Sequence, residues 1–199
     1  MIQFENAVKY YSEIILSELN EQGVNCWVAG GCVRDYFMGK PIKTDYDIFF
    51  PDENNFTKAK EYLTEKGAEI KWESDNGCKF AYKGRVFDLV KKYFNTPSDT
   101  INAFDFTVSM FAVDIENVFH GETSFIDLSK RQLIFNKITY EGSTLSRAFR
   151  YYKKGFQMCN SEMKKLYDAI NSAEKIVERE DDSDVDGGSS FDGTFDGID

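Results

Sequence analysis

A chain of 199 residues, 42% of them hydrophobic, holds enough apolar material for one core of ordinary size and a small helical annex. No apolar run approaches the roughly 18 residues of a membrane span, and MIQFENAVKY lacks the basic and apolar parts of a secretory signal, so a cytoplasmic protein without a membrane partner is expected. The formal charge of −10 is concentrated in residues 180–199, whose eight acidic groups leave 26 acidic against 24 basic elsewhere, while residues 137–179 hold nine basic and five acidic groups. Nucleic acid therefore stays within reach as a partner. Cys26, Cys32, Cys78 and Cys159 form no C-x-x-C and His120 is the sole histidine, which argues against structural zinc and against a Cys–His nucleophile.

Phe4, Val8, Tyr11, Ile15 and Leu19 recur at three- and four-residue intervals, so residues 4–20 are predicted to form a core helix ended by Gly23. Residues 24–29 read as a short apolar strand, which Gly30 and Gly31 end before a short helix in VRDYFM. A glycine turn lets the backbone approach a ligand, and the helix start offers N–H groups to phosphate, with Arg34 nearby. Asp35 is placed to orient Arg34 or to bind a sugar hydroxyl. Gly39 and Pro41 precede DYDIFF, a strand in which Asp45 and Asp47 project from one face and aim hard oxygen ligands at one point, as suits Mg²⁺.

A helix over 54–66 is followed by predicted strands over 69–72, 77–82 and 85–90, with YKGR as the tight turn between the last two. In RVFDLV, Asp88 alternates with Val86 and Val90, an acid among apolar side chains. Burying it is costly unless a cation compensates, and Mg²⁺ is the cation expected. These elements predict an α+β fold around a small mixed sheet.

The order Gly30-Gly31, Val33-Arg34-Asp35, Gly39 and Asp45-Tyr46-Asp47 closely resembles the nucleotidyltransferase head of class II CCA-adding enzymes and bacterial poly(A) polymerases, in the polymerase beta superfamily. The resemblance implies two catalytic Mg²⁺ ions on Asp45 and Asp47, with Mn²⁺ as a substitute, and an incoming NTP cradled by Gly30, Gly31 and Arg34. It assigns the third metal-binding carboxylate to Asp88 rather than to Asp75 in the turn SDNG. INAFDFTVSM resembles the family's RRDFTINA, with Asp105, Phe106, Thr107 and Val108 matching D-F-T-I. Asp105 is then a ribose or water contact, although on the residues alone it could equally cap a turn. Phe104 stands where the family has arginine, and Ser109 where it has asparagine.

His120 and Gly121 are expected in a loop, His120 without a catalytic role. Phe125 to Leu128 and Leu133 to Phe135 correspond to the family's DL-containing turn and closing strand. Ser143 or Thr144 is expected to cap a helix, TLSRAFRYYKKGF, resembling the family's neck helix. That likeness turns Arg147 and Arg150 toward the triphosphate, and Lys153 and Lys154 toward a primer backbone. A last helix is predicted over 161–178, before an acidic tail expected to be disordered, to dock a protein partner or solubilise the chain, or to have no function.

The expected domains are a head over 1–139, a neck over 140–180 and the tail over 181–199. The resemblance covers roughly residues 24–155 and includes no E-D-x-x-R, with which CCA-adding enzymes read the base. The expected activity is metal-dependent transfer of a nucleoside monophosphate from an NTP, ATP by default, to a hydroxyl, releasing pyrophosphate. The favoured acceptor is an RNA 3′ end, tRNA-like if the likeness extends that far. Transfer to a protein or small molecule is one alternative; an inactive nucleotide- or RNA-binding or inhibitory protein is the other. Phe104, Tyr151 and Tyr152 near the pocket, without E-D-x-x-R, imply weak base selection.

Overall fold

A seven-stranded mixed sheet organises the computed structural model, which describes residues 2–180; the expectations for the tail over 181–199 lie outside the described residues. Its strands are β1 (Trp27–Ala29), β2 (Tyr46–Phe49), β3 (Glu69–Ser74), β4 (Gly77–Tyr82), β5 (Arg85–Val90), β6 (Phe111–Val113) and β7 (Val118–His120). They lie in the order β3-β4-β5-β2-β1-β6-β7. Only β2 and β5 pair in parallel. The α+β class expected from the sequence is observed.

The N-terminal period produces α1 (Ile2–Tyr11), a π-helical segment (Ser12–Leu16) and α2 (Ser17–Glu21), with Tyr11, Ile15 and Leu19 fully buried as predicted. Short α3 (Gly31–Phe37) follows β1 through Gly30, whose φ of 87° and ψ of −137° suit glycine alone. Between β2 and β3 runs α4 (Glu53–Glu65), capped by Asp52, which accepts from the Asn55 amide. Lys83 and Gly84 both have positive φ and make the two-residue turn joining β4 to β5. That turn sets Tyr82 opposite Arg85, and hence Lys79 opposite Asp88.

The pleat divides the sheet into two faces. Ile48, Phe80, Phe87, Leu89 and Val28 belong to the main core with the N-terminal helix and the inward residues of α4, Phe56, Ala59 and Leu63. Trp27, Ala29, Phe49, Val90 and Ala112 form a smaller cluster on the other face with Ile101 of α5 (Pro97–Asn102). The Trp27 indole N–H donates to Thr100 Oγ1 at 2.9 Å, fixing α5 over β1. The remaining helices are a 3₁₀ turn (Thr107–Ser109), α6 (Ser124–Lys130), α7 (Glu141–Lys153) and α8 (Asn160–Glu180).

Three local expectations are corrected. His120 ends strand β7 rather than lying in a loop, because Asp114 accepts from the Glu116 and Asn117 amides and folds 111–120 into a hairpin. The DL segment is helical, since buried Asp127 is locked by the hydroxyls of Thr107 (2.8 Å) and Thr123 (2.7 Å); beyond it, Phe135 makes only an isolated bridge to Phe106 where a closing strand was expected. Helix α7 starts at Glu141, after Tyr140, so Thr144 lies inside it and its hydroxyl turns to Asp105.

Candidate functional site

The register places one row of residues straight across the sheet: Lys79 opposite Asp88, Asp88 beside Asp47, and Asp47 opposite Ala29. Asp47 and Asp88 therefore share a face and stand as nearest cross-strand neighbours. Asp45, just before β2, reaches the same cluster through Lys79. The Lys79 ammonium lies 2.5 Å from Asp45 Oδ2 and 3.6 Å from Asp88 Oδ2. Asp47 is buried, and the Asp88 side chain is only 14% exposed.

The charges in this row act on one another. Burial lifts the Asp88 carboxyl above its ordinary value, with Lys79 opposing and Asp45 adding to the rise. Burial works against a charged Lys79, but its hydrogen bond to Asp45 and the charges of Asp45, Asp88 and Asp47 outweigh that and hold the ammonium above its ordinary value. Among the described residues, no three His, Cys, Asp or Glu side chains are gathered tightly enough to hold a metal as they stand. The donor set itself is all carboxylate oxygen on adjacent strands, which fits a hard divalent cation.

On the same face, a pocket of about 100 Å³ opens beside this row, walled by Gly30, Phe49, Phe94, Phe104, Tyr140 and Tyr151. Its polar lining comes from Lys92, Asp105, Ser109, Lys137, Thr139 and Arg147. Phe104 packs edge-on against Phe49, with ring centroids 6.1 Å apart. Desolvation, then the like charges of Lys137 and Arg147, hold the Lys92 ammonium below its ordinary value, with Asp105 opposing. An anion entering here would relieve that repulsion.

Helix α7 closes the pocket through two clasps. Buried Asp105 accepts from Thr144 Oγ1 at 3.1 Å and from Arg147 Nη1. Tyr151, also buried, accepts from Arg34 Nη1 at 2.9 Å and shares a hydrogen bond with Ser109 Oγ. The Arg34 guanidinium lies over the Tyr151 ring at 5.1 Å and donates through Nε to Asp35 at 2.9 Å.

The structure thus brings Asp45, Asp47 and Asp88 to one cluster, and Gly30, Asp105 and Arg147 to the neighbouring pocket. Gly31, Arg34 and Arg150 lie outside the pocket lining; Arg34 is fully buried beneath it, joined to the lining through Tyr151. Tyr152, expected at the pocket, is 71% exposed and turned away. Sequence reasoning passed over Lys79 and Lys92. The two-residue turn at YKGR fixes the register that would have exposed Lys79; Lys92 had no comparable signal.

Against known proteins, the model of the family described as "Gad2: Gabija anti-defense 2 family protein" matches residues 2–131. No curated protein matches the chain. Among solved structures, a tRNA-processing enzyme in its apo form I is similar at 20% identity and TM-score 0.65, over 81% of this chain and 47% of that one. A tRNA nucleotidyltransferase complexed with a primer tRNA and an incoming ATP analog is similar at 18% identity and TM-score 0.61, over 79% and 50%. The Thermotoga maritima CCA-adding enzyme complexed with tRNA_CCA follows at 17% identity and TM-score 0.60, over 77% and 39%. These likenesses establish the nucleotidyltransferase fold. The chain spans about half the length of the first two of these structures and less of the third.

Proposed function

The chain belongs to the Gabija anti-defense 2 family, and from the site that its nucleotidyltransferase fold carries we propose that it transfers a nucleoside monophosphate from an NTP to a hydroxyl acceptor, releasing pyrophosphate. The observation that carries this reading is the meeting, on one sheet face, of the Asp45–Asp47–Asp88 carboxylates with a pocket lined by both aromatic and cationic side chains. Base and phosphate want those two chemistries side by side. Asp47 and Asp88, with Asp45, would hold Mg²⁺ or Mn²⁺, which supplies alignment of the attacking hydroxyl and neutralises charge on the departing pyrophosphate.

The protein's own groups carry the remaining work. Phe104, Phe94 and Tyr140 offer surfaces on which a base can lie, and Lys92, Lys137 and Arg147 offer charge to the phosphates. Asp105 holds Arg147 in place through its carboxylate. Arg34 acts from below by fixing Tyr151, and Gly30 keeps the pocket floor free of a side chain. ATP is the default donor, and an RNA 3′ end is the favoured acceptor because basic residues gather after residue 137. The family's description, Gabija anti-defense, supports a second acceptor class: a protein or small molecule belonging to the defence that the family counters.

The test supplies purified protein with Mg²⁺, each labelled NTP and, separately, RNA, protein extract and small metabolites. Pyrophosphate release by the native chain and its loss in Asp47→Asn support the proposal. Nucleotide binding without turnover on any acceptor would leave a binding or inhibitory protein as the correct reading. Acceptor class is separated by salt: RNA binding falls steeply with rising salt as counterions are released, whereas a flat response selects the protein or small-molecule class.

A further inference from the structure

Strand β3 forms one edge of the sheet, and its register against β4 slips once. Ile70 stands opposite Phe80, but Trp72 stands opposite Lys79, so Lys71 is the extra residue of a β-bulge. Without the slip, counting on from the Ile70–Phe80 pair would set Trp72 opposite Cys78, on the core face where Cys78 and Phe80 are fully buried. The bulge turns it over. Trp72 shares the face of Lys79, and Glu73 takes the core side instead, where it meets Lys60 of α4. Trp72 thereby ends the row that runs through Lys79, Asp88 and Asp47, with half of its surface exposed. Strands lie about 4.8 Å apart, which puts the Trp72 backbone roughly 10 Å from that of Asp88, two strands away. Among the described residues that line the aromatic and cationic pocket, none comes from β3 or β4. In strand order, the carboxylates of β5 and β2 separate Trp72 from Gly30 of the pocket.

From this placement we infer that Trp72 is the platform on which the terminal base of an acceptor RNA stacks, bringing its 3′ hydroxyl to the carboxylates from the side opposite the donor pocket. The inference rests on the nucleotide-transfer reading above and deepens it by giving the acceptor a class and a place. In-line displacement needs the attacking hydroxyl and the departing pyrophosphate on opposite sides of the phosphorus. With the donor phosphates among Lys92, Lys137 and Arg147, the β3–β4 side is where the hydroxyl enters. An indole offers a flat face that any base covers, so Trp72 fixes position without reading sequence. The same bulge interrupts the free edge of β3, along which a peptide acceptor would otherwise add as a strand. A base therefore suits this place better than a peptide.

The chain has two tryptophans and Trp27 is buried, so the emission that acrylamide quenches reports Trp72. Short single-stranded RNA with 2-aminopurine as its 3′-terminal base is titrated into the full chain with Mg²⁺ and a non-hydrolysable ATP analogue. The probe should be quenched on binding and Trp72 shielded from acrylamide; Trp72→Ala should bind the RNA ~10-fold or more weakly, and Trp72→Phe within about 3-fold of wild type. Equal affinity in wild type and Trp72→Ala would overturn the inference, as would quenching only of a 2-aminopurine placed in the interior of the strand. If Trp72→Ala does not fold, the two fluorescence readings on the wild type decide. Transfer of label from the NTP to a protein and not to RNA also overturns it, while leaving nucleotide transfer intact. Equilibrium dialysis with the ATP analogue alone separates the two readings. Failure of the wild type to retain the analogue sinks nucleotide transfer and this inference with it, whereas a negative RNA result with the analogue retained sinks only the role of Trp72.

Discussion

Replacing Tyr151 by Phe removes one oxygen and keeps the ring, which isolates the clasp between α7 and the rest of the site. The hydroxyl accepts from Arg34 Nη1 at 2.9 Å and shares a hydrogen bond with Ser109 Oγ, and Tyr151 is 2% exposed. A hydrogen bond to a charged group contributes about 1.5–3 kcal/mol and a neutral one about 0.5–1.5 kcal/mol. Water does not reach this place readily, so Tyr151→Phe should cost about 2–4 kcal/mol, a fall in Tm of roughly 5–15 °C for a chain of this size. Urea unfolding followed by tryptophan fluorescence measures it, since Trp27 is buried and changes environment on unfolding. The double variant with Ser109→Ala should cost less than the two single losses added together, because both remove the same hydrogen bond. The ring contact with Arg34 at 5.1 Å survives in Tyr151→Phe, so Tyr151→Ala must be clearly worse. A Tyr151→Phe protein within about 0.5 kcal/mol of wild type would refute the reasoning, because the Tyr151 hydroxyl would then add nothing to the seat of α7 beyond packing and the Asp105 clasp.

The same site yields further expectations. Asp88→Asn should abolish pyrophosphate release while the protein keeps its circular dichroism spectrum, and unchanged turnover would remove Asp88 from the machinery. For the four NTPs, kcat/KM should differ by less than about 10³, near 4 kcal/mol of discrimination, because the pocket wall is largely aromatic; a larger ratio would reveal a base-reading group. Arg147→Met should weaken binding of an ATP analogue and destabilise the fold by about 3–5 kcal/mol, since it leaves buried Asp105 without its charged partner; Asp105→Asn in the same background should restore part of the stability but not the binding. Away from the site, burial raises Glu18, but hydrogen bonds from Lys83, Tyr82 and Tyr62 outweigh it and hold the carboxyl below its ordinary 4.5. The unfolded chain thus binds this proton more readily than the folded one, so the stability Glu18 contributes is present above about pH 4.5 and fades as pH falls through the lower folded value. Glu18→Gln should be less stable than wild type at pH 7, and the gap should close in urea titrations taken toward pH 3.

How far the sequence carries depends on the range of the interaction that decides each element. The β4–β5 hairpin was legible because a two-residue turn sets register locally, and the same turn fixes Lys79 against Asp88 by counting back three pairs. The cost of burying Asp88 was legible too, from alternation in RVFDLV, but alternation identifies a need for positive charge and cannot say who supplies it. The pattern points to Mg²⁺, while Lys79 is already in place on the neighbouring strand. Where the deciding contact is distant, local pattern failed. FIDLSK became a helix because Thr107, twenty residues earlier, bonds Asp127. Arg34, expected at a phosphate, is drawn inward by Tyr151 from 117 positions away. Phe104 and Ser109 entered the sequence reading as departures from a motif, and in the fold each finds a partner that explains it. Phe104 extends the aromatic wall with Phe49, and Ser109 is the right length to meet the Tyr151 hydroxyl. A longer amide at 109 would collide with that hydroxyl unless α7 moved, so the serine and the close seat of α7 are one adaptation. The pocket therefore owes its shape to a helix whose position no stretch of local sequence encodes.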